Sequence, residues 1–552
     1  MSVGEAHSAL FDDYLFRFAR VASFYPAGAP FDFDRLAARA RELDYPAPRR
    51  AAMAAELLRQ NPGQSAAVAE FAEPGTVAVV TGQQVGLFGG PLLGLHKAMT
   101  AVRIAERLRA QGTRAVAVFW TATQDHDLAE VNQAWVPDEE GALHRLQAEF
   151  PAAAANHPVG SLALDDSILT LEQEAARLSP GDWQAVARAY RPGATLGEAF
   201  ATLLGAWFAS WGLLLFDPRQ AAAAHALWQP YYLAAFDRQP ELAAQLAQRA
   251  EALLDAGGHV QVEQTQAASM LFLEDASGRL GLRRRTLGQA GPPPEPGRAS
   301  SGSRGTAARG PVPVNDSAWL LGEREVPAAV LRQRIADAPA LVSPAALLRP
   351  VLQDVAFPTV AHVVGPSETA YLAQSSVLYE AFGVRQPVAW PRARITFVDA
   401  KSQRLLQKYS LSLDDLRAAP AEDLLARRAL PEGIEQRVAT LRSTLAGGLE
   451  ELRRDLQQLD PTLLDAANGA AQKIEHQLAQ LEARVARSLA RRSGELESQA
   501  RHLDTTLFPR RQPQERVLTA AAYLARHPAM LETLHTALDP GQPAHQLIPL
   551  LP

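Results

Sequence analysis

An aliphatic run, Val77–Val80, passes directly into Thr81-Gly82-Gln83-Gln84-Val85-Gly86-Leu87-Phe88-Gly89-Gly90-Pro91, and this stretch constrains the fold more than any other. The run reads as a buried strand. Four glycines fall within positions 82–90, and Leu92, Leu95, Met99, Val102, Ala105 and Leu108 then recur at helical spacing. Pro91 suits the first helical position, where its missing N–H leaves nothing unpaired. Strand, glycine-rich turn and helix N-terminus together offer an anion free N–H groups and the positive end of a helix dipole. The spacing is neither G-x-G-x-x-G nor the Walker pattern, so the motif alone names no ligand. A tight turn with glycines for backbone reasons alone reads equally well.

Ala115–Trp120 reads as a second strand, leading into Thr121-Ala122-Thr123-Gln124-Asp125-His126-Asp127 and a helix from Leu128. Asp127 and Glu130 stand at capping-box spacing. Residues 77–121 thus form a βαβ unit, which requires a parallel sheet. Before it, residues 34–72 read as helical; after it, Leu213–Phe216 reads as another buried strand. Helices follow over 219–255, then strands at Val260–Gln264 and Met270–Leu273. From Gly288 to Pro313 the chain is almost entirely Pro, Gly, Ser, Ala and Arg. With so little to bury, that segment is expected to be disordered. Val360–Val364 then meets Gly365-Pro366-Ser367-Glu368 with a helix from Thr369, a second strand–turn–helix, and Val388–Trp390 precedes Pro391-Arg392-Ala393-Arg394.

Beyond Asp399 the texture changes. Ile434, Val438, Leu441, Leu445, Leu449, Leu452, Leu456 and Leu459 form a heptad seam with one stutter, interrupted at Asp460-Pro461. A second seam runs from Ala467 through Ile474, Leu478, Leu481 and Val485 to Leu503, so the two predict an antiparallel helical hairpin.

Composition narrows the function classes. A net charge of −6 argues against a dedicated nucleic-acid or membrane surface. No apolar run approaches the roughly 18 residues of a spanning helix, and the acidic start (Glu5, Asp12, Asp13) lacks a signal pattern, so a cytoplasmic protein is expected. With no cysteine, disulfides, thiolate nucleophiles and Cys-ligated zinc are excluded.

Three constellations can carry chemistry. Asp125, His126 and Asp127 follow a parallel strand, where open α/β sheets place their ligands. A histidine between two acids should protonate readily and serve as acid or base; the bland alternative is a capping Asp127 and a loop-bonded His126. Glu368 and Tyr371 share a helix face beside Gly365, suiting an ammonium group or a cap. Arg392 and Arg394 follow a strand and could hold a carboxylate or phosphate in bidentate fashion, or lie on the surface. Lys97 lies on the helix that opens at the glycine turn, either solvated or facing a ligand. No metal site is expected.

Taken together, the motifs are more specific. The T-G-Q-Q-x-G-L-F-x-G-P-L run at 81–92 with Lys97, Phe119-Trp120 with Asp125-His126-Asp127, and L-R-P-x-x-Q-D at 348–354 resemble one family. So do G-P-x-E-x-x-Y at 365–371, Pro391-Arg392, Gln514-Glu515-Arg516 and the segment Gly258-His259-Val260-Gln261-Val262. It is the bacillithiol biosynthesis cysteine-adding enzyme family, the cysteine ligases, and the match runs through essentially the whole chain. The family usually carries Glu where Gln124 stands here, and 288–313 looks like an insertion.

The resemblance implies an α/β fold: a Rossmann-like parallel-sheet core, related to class I nucleotidyltransferase-like synthetases, with connective-peptide insertions and an antiparallel coiled coil. On that basis the core occupies 1–135, 206–240 and 343–400, with insertions at 136–205 and 241–342. The coiled-coil domain is expected over 401–510, and a segment that packs back on the core over 511–552. The resemblance further implies the last step of bacillithiol synthesis, joining L-cysteine to glucosaminyl-malate, in a homodimer paired through the coiled coil. Amide formation needs an activated carboxylate, so ATP or another nucleotide is expected, forming an acyl adenylate or acyl phosphate. Gly82, Gln83, Gln84 and Gly86 are then the expected phosphate or substrate cradle, with Lys97 beside it. His126 is the expected acid/base flanked by Asp125 and Asp127; Gly365, Glu368 and Tyr371 would hold an ammonium or sugar group, and Arg392 a carboxylate. The rival reading is a nucleotide-binding coiled-coil adapter without catalysis.

Overall fold

The computed structural model describes residues 9–285, 318–428, 432–492 and 494–550. The stretch 288–313, for which disorder is expected, lies outside the described residues. Five strands form a parallel sheet: β1 (Val77–Gln83), β2 (Ala115–Thr121), β3 (Leu214–Phe216), β4 (Thr359–Val364) and β5 (Val388–Pro391). Their order is β5-β4-β1-β2-β3. The chain steps outward from β1 through β2 to β3, then returns to the other side of β1, and open sheets bind ligands beyond the carboxyl ends at such a reversal.

The aliphatic runs make strands because both faces of this sheet are covered. Val77 and Val79 join one apolar cluster, Ala78 and Val80 the other; along β2, Phe119 and Trp120 part in the same way. Helix α1 (Leu93–Ala110) crosses between β1 and β2 and buries Leu95, Met99, Val102 and Leu108. It begins two residues beyond Pro91, which instead bridges to Thr519. Helix α2 (Pro366–Phe382) starts earlier than the expected Thr369, because Pro366 takes its first turn and the Glu368 carboxylate accepts the Gly365 N–H at 2.8 Å.

Two further expectations are corrected. Val260–Gln264 is not a strand: the N–H groups of Gln261 and Val262 donate to Oε1 of buried Gln374, both at 3.0 Å, so a side-chain amide replaces a ladder partner. Asp127 precedes a short helix, Leu128–Val131, without capping it through its side chain.

Met270–Leu273 falls within the strand Ala268–Asp275 of a second, antiparallel five-stranded sheet, which also contains Gly278–Arg284 and Val342–Pro344. After β5 the chain enters the helical region, where α3 (Glu432–Leu459) and α4 (Leu464–Arg492) form a hairpin broken at Asp460-Pro461. Arg442 Nε reaches Glu475 Oε1 across it at 2.8 Å. The second seam stops short of Leu503, which lies on a separate helix, Gly494–Leu507, and is buried with Leu405, Leu416 and Leu425. The chain then returns to the core: Gln546–Leu550 pairs in parallel with Ile395–Asp399, and Leu518–Ala520 crosses the glycine turn. Among the described residues no helix is long and apolar enough to cross a membrane.

Candidate functional site

A cavity of about 360 Å³ opens at the carboxyl ends of β1 and β4, where the strand order reverses. Thr81–Gln84 and Val363–Glu368 form its two sides, Asp125 enters from the end of β2, and Lys97, Arg349, Tyr371, Arg392 and Arg516 complete the wall.

Lys97 is buried, 4% exposed, and no solvated helix-face lysine. Its Nζ donates to Gly82 O at 2.8 Å and Gln83 Oε1 at 3.1 Å, and pairs with Glu368 Oε2 at 2.6 Å. Burial pushes the ammonium pKa down, against the opposing pull of Glu368. Tyr371 stands beside this pair, its phenol pKa pushed up by burial and by the Glu368 charge. The two strand–turn–helix units therefore meet through one cation–carboxylate contact.

The glycine turn differs from the expected cradle. Gly82, Gln83 and Gln84 line the cavity, whereas Gly86 does not. Its N–H donors are committed: Gly86 to Gln84 O, Gly89 to the Tyr190 hydroxyl, Gly90 to Leu87 O and Leu92 to Leu518 O. The glycines serve close packing instead. A Cβ on Gly86 would stand 2.7 Å from Gly90 Cα, and Gly89, at φ +84°, would drive one to 2.6 Å from the Trp207 ring. Gln84 Nε2 donates to Glu130 Oε2 at 2.6 Å and Asp125 Oδ2 at 3.3 Å, so it joins the cavity wall to the loop after β2.

That loop splits its three candidates. Asp125 lines the main cavity; His126 and Asp127 line a separate surface depression with Arg145 and Gln147. Arg279 of the second sheet donates to His126 Nδ1 at 3.0 Å. The expected easy protonation is corrected: burial and the Arg279 charge lower the His126 pKa and outweigh both aspartates. Asp125 is held below the usual carboxylate range; burial opposes this, but the charges of Arg349 and Arg279 and a hydrogen bond from the His126 N–H prevail.

Arg392 borders the cavity, but the carboxylate it was expected to take from a substrate is supplied by the chain. Both of its terminal nitrogens donate to Glu515, Nη1 at 2.7 Å, and His96 Nδ1 meets the same carboxylate at 2.8 Å. Burial works against the Glu515 charge, yet Arg392 and His96 hold its pKa far below the carboxylate range. Arg394 points elsewhere and donates to Pro543 O.

The groups that remain available lie in motifs whose chemistry the sequence analysis did not assign. Arg349, from L-R-P-x-x-Q-D, and Arg516, from Gln514-Glu515-Arg516, line the cavity, and among the described residues neither side chain makes a hydrogen bond or ion pair. His362 gave no sequence signal, since a lone histidine inside an aliphatic strand reads as core; it also lines the cavity, with Nε2 bonded to Asp354 Oδ1 at 2.8 Å. Among the described residues no three His, Asp or Glu side chains gather as a metal site would need.

The family model for the N-terminal Rossmann-like domain of bacillithiol biosynthesis BshC matches residues 1–289 and 322–393, and that for the BshC C-terminal coiled-coil domain matches 395–550. The chain belongs to the BshC family. Relatives named "Putative cysteine ligase BshC" include one from Solibacter usitatus, 37% identical over 94% of this chain and 92% of its own. Another, from Koribacter versatilis, is 33% identical over 98% and 97%, and one from Thermus thermophilus is 32% identical over 94% and 97%. The parallel sheet with its helical hairpin is thus the BshC arrangement of a Rossmann-like and a coiled-coil domain.

Proposed function

We propose that this chain is a cysteine ligase of bacillithiol biosynthesis, acting in the cytoplasm to join the carboxyl group of L-cysteine to the amino group of glucosaminyl-malate, the last step of the pathway. The observation that carries the reading is the cavity at the strand reversal of a BshC-family chain, where the Lys97–Glu368 pair faces Arg349 and Arg516, two guanidiniums without an ion-pair partner among the described residues. Arg349 and Arg516 are suited to carboxylates, which match a guanidinium in bidentate fashion. Glu368 and Asp125 supply the negative charge an ammonium group needs, and Lys97 a buried positive charge where the reacting carboxylate loses its own.

ATP, when bound, supplies the activation that a free carboxylate lacks. The 86–92 turn does not fit its phosphates, because the Gly86, Gly89, Gly90 and Leu92 N–H groups are taken, so no step is assigned there. Thiol profiling of cells lacking the gene tests the reading: bacillithiol should vanish and glucosaminyl-malate accumulate, and unchanged thiol pools would overturn it.

The hairpin is proposed to pair two copies. Leu441, Leu452 and Leu481 stay 45%, 49% and 56% exposed, and Leu481 lines a groove with Leu445, Ile474 and Leu478. Heptad seams bury such residues against a partner helix. Light scattering should give twice the chain mass for the wild type and one chain mass for Leu445→Glu/Leu478→Glu; a monomeric wild type would end the proposal.

A further inference from the structure

Three buried histidines lie near the sheet, and they differ in what their second nitrogen meets. His96 bonds Glu515 through Nδ1, and its Nε2 is sealed in the core without a partner among the described residues. Both ring nitrogens of His225 are buried in the core beside the Pro218 and Pro339 backbone. His362 is different. Its Nε2 bonds Asp354 Oδ1 at 2.8 Å, whereas Nδ1 has no protein partner among the described residues and is not one of the sealed atoms, while the residue borders the main cavity. Asp354 is fixed in turn: the Tyr379 hydroxyl donates to its other oxygen at 2.5 Å.

We propose that His362 is the catalytic base of this cavity and that Asp354, held by Tyr379, positions it. The assignment rests on the ligase reading above. The carboxylate accepts a hydrogen bond from Nε2–H, which fixes the tautomer and leaves the lone pair on Nδ1, the nitrogen without a protein partner among the described residues. A base oriented by a carboxylate that is itself held in place is the arrangement that general-base catalysis uses on many folds. In amide formation the amine nitrogen bonds the activated carboxyl carbon, and the bond from that carbon to its activating oxygen breaks, its electron pair leaving with the oxygen. The amine sheds one proton, which His362 Nδ1 takes. Strand β4 places the histidine at the cavity floor, and the helix Arg349–Ala356 brings Asp354 on the same element as Arg349. The other titratable or charged groups are Tyr379, which holds Asp354, and those that line the same cavity: Lys97, Asp125, Glu130, Arg349, Glu368, Tyr371, Arg392 and Arg516.

The test measures amide formation by the full-length protein from L-cysteine, glucosaminyl-malate and ATP. His362→Gln should lower kcat about 10²–10⁴-fold with KM values little changed, and its residual rate should rise steadily with pH where the wild type levels off. Asp354→Asn should lose less and shift the same pH profile. Because a buried substitution can unsettle the fold, His362→Gly is measured with added imidazole, which should restore part of the rate. Wild-type kcat and pH profile in His362→Gln, or a folded His362→Gly that imidazole does not rescue, would overturn the assignment and leave the ligase reading standing. A folded wild type that makes no amide would overturn the reading itself.

Discussion

The unit β1–α1 carries four glycines over positions 82–90, Gly82, Gly86, Gly89 and Gly90, and a fifth, Gly94, in its helix, whereas the unit β4–α2 carries one, Gly365. The glycine-rich unit has the stronger ligand signature in sequence, yet its N–H donors at 86, 89, 90 and 92 are closed by the chain itself. The glycine-poor unit brings His362, Glu368 and Tyr371 to the cavity. Its one glycine has ordinary φ, −90°, and open space: a Cβ there would meet nothing nearer than Glu368 Oε2 at 3.5 Å. Glycine density here marks where chain segments pack closely, and the reactive side chains come from the strand end and helices beside it, Lys97 from one unit and His362, Glu368 and Tyr371 from the other.

The sharpest way to break this contrast is to loosen the segment that covers the first unit. Glu515→Ala leaves the buried Arg392 guanidinium without its carboxylate, and such a loss costs about 3–5 kcal/mol. Calorimetry should show a melting temperature many degrees lower; a change of a degree or two would mean that the C-terminal segment does not hold the turn. The same lock gives a pH dependence of known sign. The Glu515 pKa is depressed in the fold, so its stabilisation is present above the usual carboxylate range and is lost as pH falls below it. The His96 pKa, lowered by burial, acts in the same direction from the ordinary histidine range downward. Acid should therefore destabilise the wild type more steeply than Glu515→Gln.

Next in size are the glycines. Gly89→Ala combines a left-handed φ with a clash against Trp207 and should cost about 2–4 kcal/mol. Gly365→Ala should cost less than about 1 kcal/mol. Equal losses would erase the distinction between the two turns. The smallest effect is expected at His126→Asn: the ring lines the neighbouring depression and is held by Arg279, so amide formation should fall less than about tenfold, below the range for losing a general base. A larger loss at unchanged melting temperature would return the acid/base role to the loop after β2.

These expectations also show what the sequence makes legible. The parallel sheet follows from aliphatic runs separated by a helical period, and the hairpin from heptads broken at Asp460-Pro461, because both patterns are local. The location of the site at the strand ends follows from the same topology. The partners do not. Whether Arg392 faces a substrate or Glu515, and whether Lys97 is solvated or bound to Glu368, depends on residues 123 and 271 positions away in the chain. His126 misleads for a related reason: its flanking aspartates are visible in the sequence, whereas Arg279 arrives from an insertion 153 residues later.

The most direct test compares Glu368→Gln with Gly86→Ala, measuring kcat for amide formation per folded molecule alongside the melting temperature. Glu368 pairs with Lys97 at the cavity, whereas Gly86 packs against Gly90 outside it. The expected result is a fall of 100-fold or more in kcat per folded molecule, on the order of 3 kcal/mol in the barrier, for Glu368→Gln, beyond whatever melting temperature is lost as buried Lys97 loses its carboxylate. Gly86→Ala should lose melting temperature while its folded fraction keeps nearly full kcat. The reverse pattern, an active Glu368→Gln and a stable but inactive Gly86→Ala, would contradict the account and return the chemistry to the glycine turn.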